Sequence, residues 1–176
     1  MYMYPVTIRQ ATVSDLQGIL DIYNDAILNT TAVYQYQTHT PDMRLEWFND
    51  KVTKGIPVWV AVVDKHIAGF ASYGPFRVWQ AYKYTVEHSV YVHPDFRRRG
   101  IARQLLQVLI DYASTQPIHT IIAGIDTDNT GSILLHQQFG FTETAHFKQV
   151  GYKFGKWLDL KFFQLILHND LQPNEH

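Results

Sequence analysis

The stretch from Tyr84 to Asp126 constrains the fold of this chain more than any other. "YTVEHSVYVHP" alternates Val86, His88, Val90 and Val92 with Thr85, Glu87, Ser89 and Tyr91, the period of a strand with one buried face. From Gly100 to Ala113 the period changes, and Ile101, Leu105, Val108, Leu109 and Tyr112 recur at helical spacing. "HTIIAGID" is again a short apolar strand. A strand, a helix and a strand in that order predict a parallel crossover, because parallel neighbours cannot be joined by a tight turn.

The flanking segments extend the pattern. "VTIRQ" (6–10) reads as a strand, and "TVSDLQGILDIYNDAILN" as a helix with Ser14 as N-cap and Gln17 as its capping-box partner. Leu16, Ile19, Leu20, Tyr23 and Ile27 give that helix one apolar face. A second helix runs from Pro41 to its stop at Gly55. "VWVAVVD" and "HIAGFASYG" read as a hairpin. "NTGSILLHQQFG" is a last helix between Asn129 and Gly140, and "FTETAHFKQVGY" with "KWLDLKFFQLIL" supplies the final strands. The fold class is therefore mixed α/β.

With 176 residues and no repeat or low-complexity linker, the expectation is a single domain over 1–176. Lys and Arg total 15 against 16 Asp and Glu, so no global field draws the chain to nucleic acid or anionic lipid, and any anion must be caught locally. The absence of cysteine removes disulfides, thiolate metal sites and a cysteine nucleophile, and no metal site is read. The N-terminal "MYMYPVTIRQ" lacks a secretory pattern and no run is long and apolar enough to span a bilayer, so the expected location is the cytoplasm.

Arg97-x-x-Gly100-x-Ala102 lies between a strand and a helix start. Such a turn carries unpaired N–H groups and the positive end of the helix dipole, which suits a phosphate. Gly100 and Ala102 keep side chains clear, and Arg97, Arg98 and Arg99 add charge-assisted hydrogen bonds. The alternative is a solvated charge run at a turn. Asn129 has two readings as well, ligand contact or helix cap.

"VYVHPDFRRRGIA" resembles the acyl-coenzyme A signature of the GNAT superfamily of N-acetyltransferases. Together with "IYNDAILNTTAVY", "ASYGPFR", "AGIDTDNTGSILLHQQFGF" and "VGYKFGKWLDL", it resembles the phosphinothricin and methionine sulfone/sulfoximine acetyltransferases over roughly residues 6–165. The resemblance implies an α+β-type GNAT fold: a mixed, mostly antiparallel central sheet with flanking helices, whose parallel fourth and fifth strands splay apart. It implies acetyl-CoA as cofactor, its pantetheine arm paired with the backbone of Val90, Tyr91 and Val92. Arg97 and the N–H groups of Arg98, Arg99, Gly100, Ile101, Ala102 and Arg103 would hold the pyrophosphate, and Asn129 and Ser132 would reach the arm. Relatives commonly pair, so a homodimer is expected.

Acetyl transfer to an amine requires a base, since an ammonium has no lone pair. Glu87 is the candidate, on a strand whose apolar neighbours would raise its pKa if it lines a cleft. Its plainer alternatives are a solvent-facing carboxylate or a partner of Arg77 or Lys83. A backbone N–H near Tyr91 is the candidate to stabilise the carbonyl oxygen. By resemblance, His136 is a general acid or pantetheine contact; from the residues alone it is equally a packed core histidine. The implied acceptor is a small-molecule amine, an α-amino acid carrying a phosphinate, sulfone or sulfoximine group. Arg77 and Lys156 are the candidate cations for it, Phe76 and Tyr82 the aromatic walls, and Thr85 a further contact.

The chain departs from the family in Lys83-Tyr84, where Arg-His is usual, and in Lys156, where Arg is usual, and lysine does not reproduce the donor geometry of arginine. Two alternatives stay open. One is an acetyltransferase for another amine (polyamine, aminoglycoside or peptide N-terminus), although Arg77 and Lys156 oppose a polycation. The other is a noncatalytic acyl-CoA-binding module, which Glu87 opposes.

Overall fold

The structure, a computed structural model, describes residues 5–168 and 170–175. The elements in chain order are β1 (Thr7–Gln10), α1 (Leu16–Asn29), α2 (Pro41–Thr53), β2 (Val58–Val63), β3 (His66–Pro75), β4 (Thr85–Val92), α3 (Ile101–Ser114), β5 (Thr120–Asp126), α4 (Thr130–Gln138), β6 (Thr142–Lys153) and β7 (Lys156–Ile166). The strands form a seven-stranded sheet in the order β1-β2-β3-β4-β5-β7-β6. Pairing is antiparallel in β1–β2, β2–β3, β5–β7 and β6–β7. The crossover through α3 makes β4–β5 parallel, with Thr85, Val86 and Glu87 opposite Thr120, Ile121 and Ile122, as the strand–helix–strand order requires. The mixed α/β class and the mostly antiparallel sheet expected from the sequence are both present.

The entry to α1 differs from expectation. Ser14 is not its N-cap and Gln17 is not a capping partner. A short 3-10 turn, Val13–Asp15, precedes the helix, and the Asp15 carboxylate accepts hydrogen bonds from the Thr12 N–H at 2.7 Å and the Thr12 hydroxyl at 3.0 Å. Arg9 completes the site with two hydrogen bonds, at 2.7 and 2.8 Å. The carboxylate is 6% exposed, and the Arg9 bond holds its pKa below the ordinary value. A carboxylate can accept all four of these hydrogen bonds at once; the Ser14 hydroxyl stays exposed, and Gln17 bonds Asp21 instead.

The residues fall into two compact units. Of the described residues, the first comprises 5–30, Gln35–Tyr73 and Ser89–Leu109. Its core is Leu16, Ile19 and Ile22 of α1, Phe48 of α2, and Val58, Val60 and Phe70 of the β2–β3 hairpin. The hairpin turns at Asp64 and Lys65, both with positive φ (46° and 65°), the conformation that matches the twist of two antiparallel strands. Thr40 caps α2 by accepting from the Met43 N–H, with Pro41 in the first turn.

The second unit comprises Thr31–Tyr34, Gly74–His88 and the described residues from Ile110 onward. Ile121, Ile125, Phe141, Leu158 and Phe163 are buried in it, each contributing about 1.5–3 kcal/mol of transfer free energy. β5 carries its outer partner β7 along its whole length, from Thr120↔Ile166 to Asp126↔Leu160. That register decides which side chains face the carboxylate of β4.

Candidate active site

Glu87 is half-buried on β4 and lies over a gap in the neighbouring strand. The gap is Gly124 of β5: a Cβ placed there would lie 3.1 Å from Glu87 Oε1 and 3.1 Å from Phe162 Cε1. Phe162 is the β7 residue opposite Gly124 in the register. Its ring is met edge-on by Phe76, at 6.2 Å between centroids, and by Phe147, at 5.7 Å. Tyr82 packs on Phe76 at 5.8 Å. The Arg77 guanidinium sits 4.4 Å over the Phe76 ring. Glu87 is thus a carboxylate in an aromatic enclosure with one cation at its edge. Burial raises its pKa, and the Arg77 charge offsets part of that rise. A carboxylate with a raised pKa beside an aromatic pocket is equipped to take a proton near neutral pH.

His136 occupies the other face of β4. It is 4% exposed, stacked on His88 and flanked by Phe141. Its Nδ1 is 2.7 Å from the Ser132 carbonyl oxygen, which only accepts, so the proton sits on Nδ1. Nε2 of a neutral ring is then an acceptor, and His88 Nε2–H donates to it at 3.0 Å. His88 Nδ1 is left bare, buried and without a hydrogen-bond partner. Burial lowers the pKa of both rings. The pair fastens α4 to β4 in a neutral state. Asn129 begins that helix: its side-chain oxygen accepts from the Ser132 N–H at 3.2 Å, the cap the sequence predicts.

The arginine turn belongs to the first unit. Arg98 and Gly100 have positive φ (61° and 74°), and α3 starts at Ile101, whose side chain is buried. Nothing lies within 4 Å of a Cβ placed on Gly100, so the backbone is open on that side. The first N–H groups of α3 have no partner within the helix. Open backbone, the N–H groups that begin a helix and the exposed Arg97, Arg98, Arg99 and Arg103 side chains fit a diphosphate. The arginines also have local uses: Arg97 lies 3.5 Å from Asp25 of α1, and Arg99 stacks on Phe96. Val90, Tyr91 and Val92 are half-buried on β4, and Tyr91 packs against Tyr23 and Phe70.

The predicted acceptor residues are distributed unevenly. Arg77 and Tyr82 gather on Phe76, which meets Phe162, while Thr85 accepts a backbone hydrogen bond from the Phe76 N–H at 3.2 Å. Lys156, at the β6–β7 turn, donates to Asp128 at 2.6 Å, and that bond raises its pKa. Sequence reasoning missed Gly124, Phe162, Phe147 and His88. A glycine inside the strand "TIIAGID" was a usable signal, since strand glycines mark close approach.

Residues 19–141, spanning the arginine turn and Glu87, match the model of the Acetyltransferase (GNAT) family. The chain belongs to that family. GNAT acetyltransferases use acetyl-CoA, in keeping with the open glycine turn. The chain is 44% identical over 169 residues to the L-amino acid N-acyltransferase MnaT of Escherichia coli, covering 96% of this chain and 98% of that one. It is equally similar, 44% over 169 residues, to the L-methionine sulfoximine/L-methionine sulfone acetyltransferase of Salmonella typhimurium, covering 96% and 99%. A Salmonella typhimurium acetyltransferase solved with its cofactor acetyl-CoA superposes with a TM-score of 0.93 at 44% identity, covering 97% of this chain and 99% of that one. No helix among the described residues of this GNAT acetyltransferase is long and apolar enough to cross a membrane.

Proposed function

We propose that this acetyltransferase moves an acetyl group from acetyl-CoA to the α-amino group of a small amino acid or analogue of the methionine sulfone, sulfoximine or phosphinothricin type, with Glu87 as general base. The observation that carries the reading is the half-buried Glu87 carboxylate beside the Phe162 ring, its pKa raised by burial. The names of the two 44% identical relatives supply the acceptor class.

Acetyl-CoA, when bound, supplies the activated acyl group. The N–H groups from Arg98 to Arg103, with Arg97, hold its diphosphate, and the backbone of Val90, Tyr91 and Val92 holds its arm, with Asn129 and Ser132 as further contacts. Glu87 takes the proton of the acceptor ammonium, directly or through a water, and so exposes the nitrogen lone pair. Arg77 faces the carboxylate or the tetrahedral oxygens of the acceptor, and Phe76, Tyr82 and Phe162 wall its apolar part, with Thr85 at the base of the loop. Lys156 is held by Asp128, whereas Arg77 lies over Phe76 and its charge acts on Glu87, so Arg77 is the primary cation. His136 is read as a fastener of α4, since its Nε2 carries no proton to give.

The whole chain works as one acetyltransferase domain in this reading, and it pairs as a homodimer. The exposed Phe147, Tyr152, Phe154 and Trp157 of the β6–β7 hairpin are the surface such a pair would cover, and light scattering reads the mass directly. The test of function is a panel of amino-acid analogues scored for acetyl-CoA-dependent thiol release. Release with methionine sulfone, sulfoximine or phosphinothricin is expected. Coenzyme A binding without release for any amine would overturn the reading.

A further inference from the structure

Gly124 stands out in its strand. The other residues of β5 are buried, and Gly124 alone is exposed. Its φ lies outside the left-handed region, so the backbone there accepts any residue and the demand for glycine is spatial. What fills the space is specific. Glu87 Oε1 sits 3.1 Å from the missing Cβ, and Phe162 Cε1 and Cδ1 sit at 3.1 and 3.6 Å from it. Phe162 cannot retreat easily, because Phe76 and Phe147 press on its ring edge-on. The carboxylate, at the end of a flexible side chain, is the group that would move.

We infer that Gly124 is a positioning residue for acetyl transfer: its missing side chain makes the seat, shared with the Phe162 ring, that holds the Glu87 carboxylate at the depth from which it meets the acceptor amine. The inference rests on the reading of Glu87 as base. It explains why a strand interior carries the residue that packs least and orders least readily. The carboxylate seated there is half-buried, and burial raises its pKa.

The experiment is Gly124→Ala, assayed by acetyl-CoA-dependent thiol release across pH, with coenzyme A affinity measured by calorimetry. The added methyl displaces the carboxylate by a few tenths of an ångström, so kcat should fall severalfold, up to about tenfold, less than the roughly 100-fold that a misplacement of about 1 Å costs. The acid limb of the kcat/KM profile should move to lower pH, because the displaced carboxylate leaves the buried position that raises its pKa. Coenzyme A affinity should hold. Unchanged kcat, or a lowered kcat with an unmoved acid limb, overturns the inference.

If Gly124→Ala does not fold, the double variant Gly124→Ala/Phe162→Leu removes the ring contact while keeping the contact to Glu87. Read against Phe162→Leu alone, it should show the same loss and the same shift; a double variant that also fails to fold, or matches Phe162→Leu, overturns the inference. Glu87→Gln separates the two levels. Full turnover in Glu87→Gln removes the base itself, whereas an inactive Glu87→Gln beside a normal Gly124→Ala removes only the seat.

Discussion

His88 and His136 face each other ring to ring, 5.0 Å between centroids and 15° between planes, with their Nε2 atoms 3.0 Å apart. The carbonyl of Ser132 fixes the proton on His136 Nδ1, and the stack is neutral because burial penalises the charged form of both rings. The unfolded chain takes up protons near pH 6.5 that the folded chain refuses. Stability is therefore whole above that pH and falls as pH drops below it, by about 1–2 kcal/mol at about pH 5.5. Urea midpoints at about pH 7.5 and 5.5 check this, and equal midpoints would contradict it.

Asn129 caps α4 through the Ser132 N–H. Asn129→Ala should cost about 1 kcal/mol, and Asn129→Asp should recover most of it, since a carboxylate also accepts at a helix N-terminus. Thermal melts of the two variants read the difference; equal losses in both would show that the cap is not what Asn129 provides.

Tyr34 donates to the buried Asp126 carboxylate at 2.9 Å, and its ring fills the space beside Gly151, where a Cβ would meet Cε2 at 2.5 Å. Lys153 donates from its buried ammonium to the Val33 carbonyl at 2.7 Å in the same segment. Tyr34→Phe keeps the ring and takes a donor from a buried carboxylate, so it should destabilise the fold by about 1–3 kcal/mol. Urea unfolding of the variant tests it, and a midpoint equal to wild type would contradict it.

Gly100 combines φ of +74° with open space at its Cα. Gly100→Ala strains the backbone and places a methyl where a diphosphate would approach. Coenzyme A affinity should fall about tenfold, the equivalent of one charge-assisted hydrogen bond. Calorimetry measures it, and undiminished affinity would show that the diphosphate does not meet this turn.

Much of this was legible in the chain. The change of period between "VEHSVYV" and "IARQLLQVL" was enough to give the parallel crossover, and the Gly100 turn and the Asn129 cap follow from local backbone chemistry. Ser14 misled because hydroxyl and carboxylate compete for one helix entry, and the winner was decided by Arg9 on another element. The enclosure around Glu87 was not legible. "KFFQL" does not say which phenylalanine turns inward: Phe163 is fully buried, while Phe162 faces Gly124. Only the register between β5 and β7, set over the whole length of both strands, makes that choice.

The most direct measurement compares wild type and Glu87→Gln in acetyl-CoA-dependent thiol release with methionine sulfone as acceptor, with coenzyme A affinity followed by calorimetry. A general base at Glu87 predicts a fall in kcat of about 10²- to 10⁴-fold with affinity unchanged. Turnover in Glu87→Gln equal to wild type would contradict it.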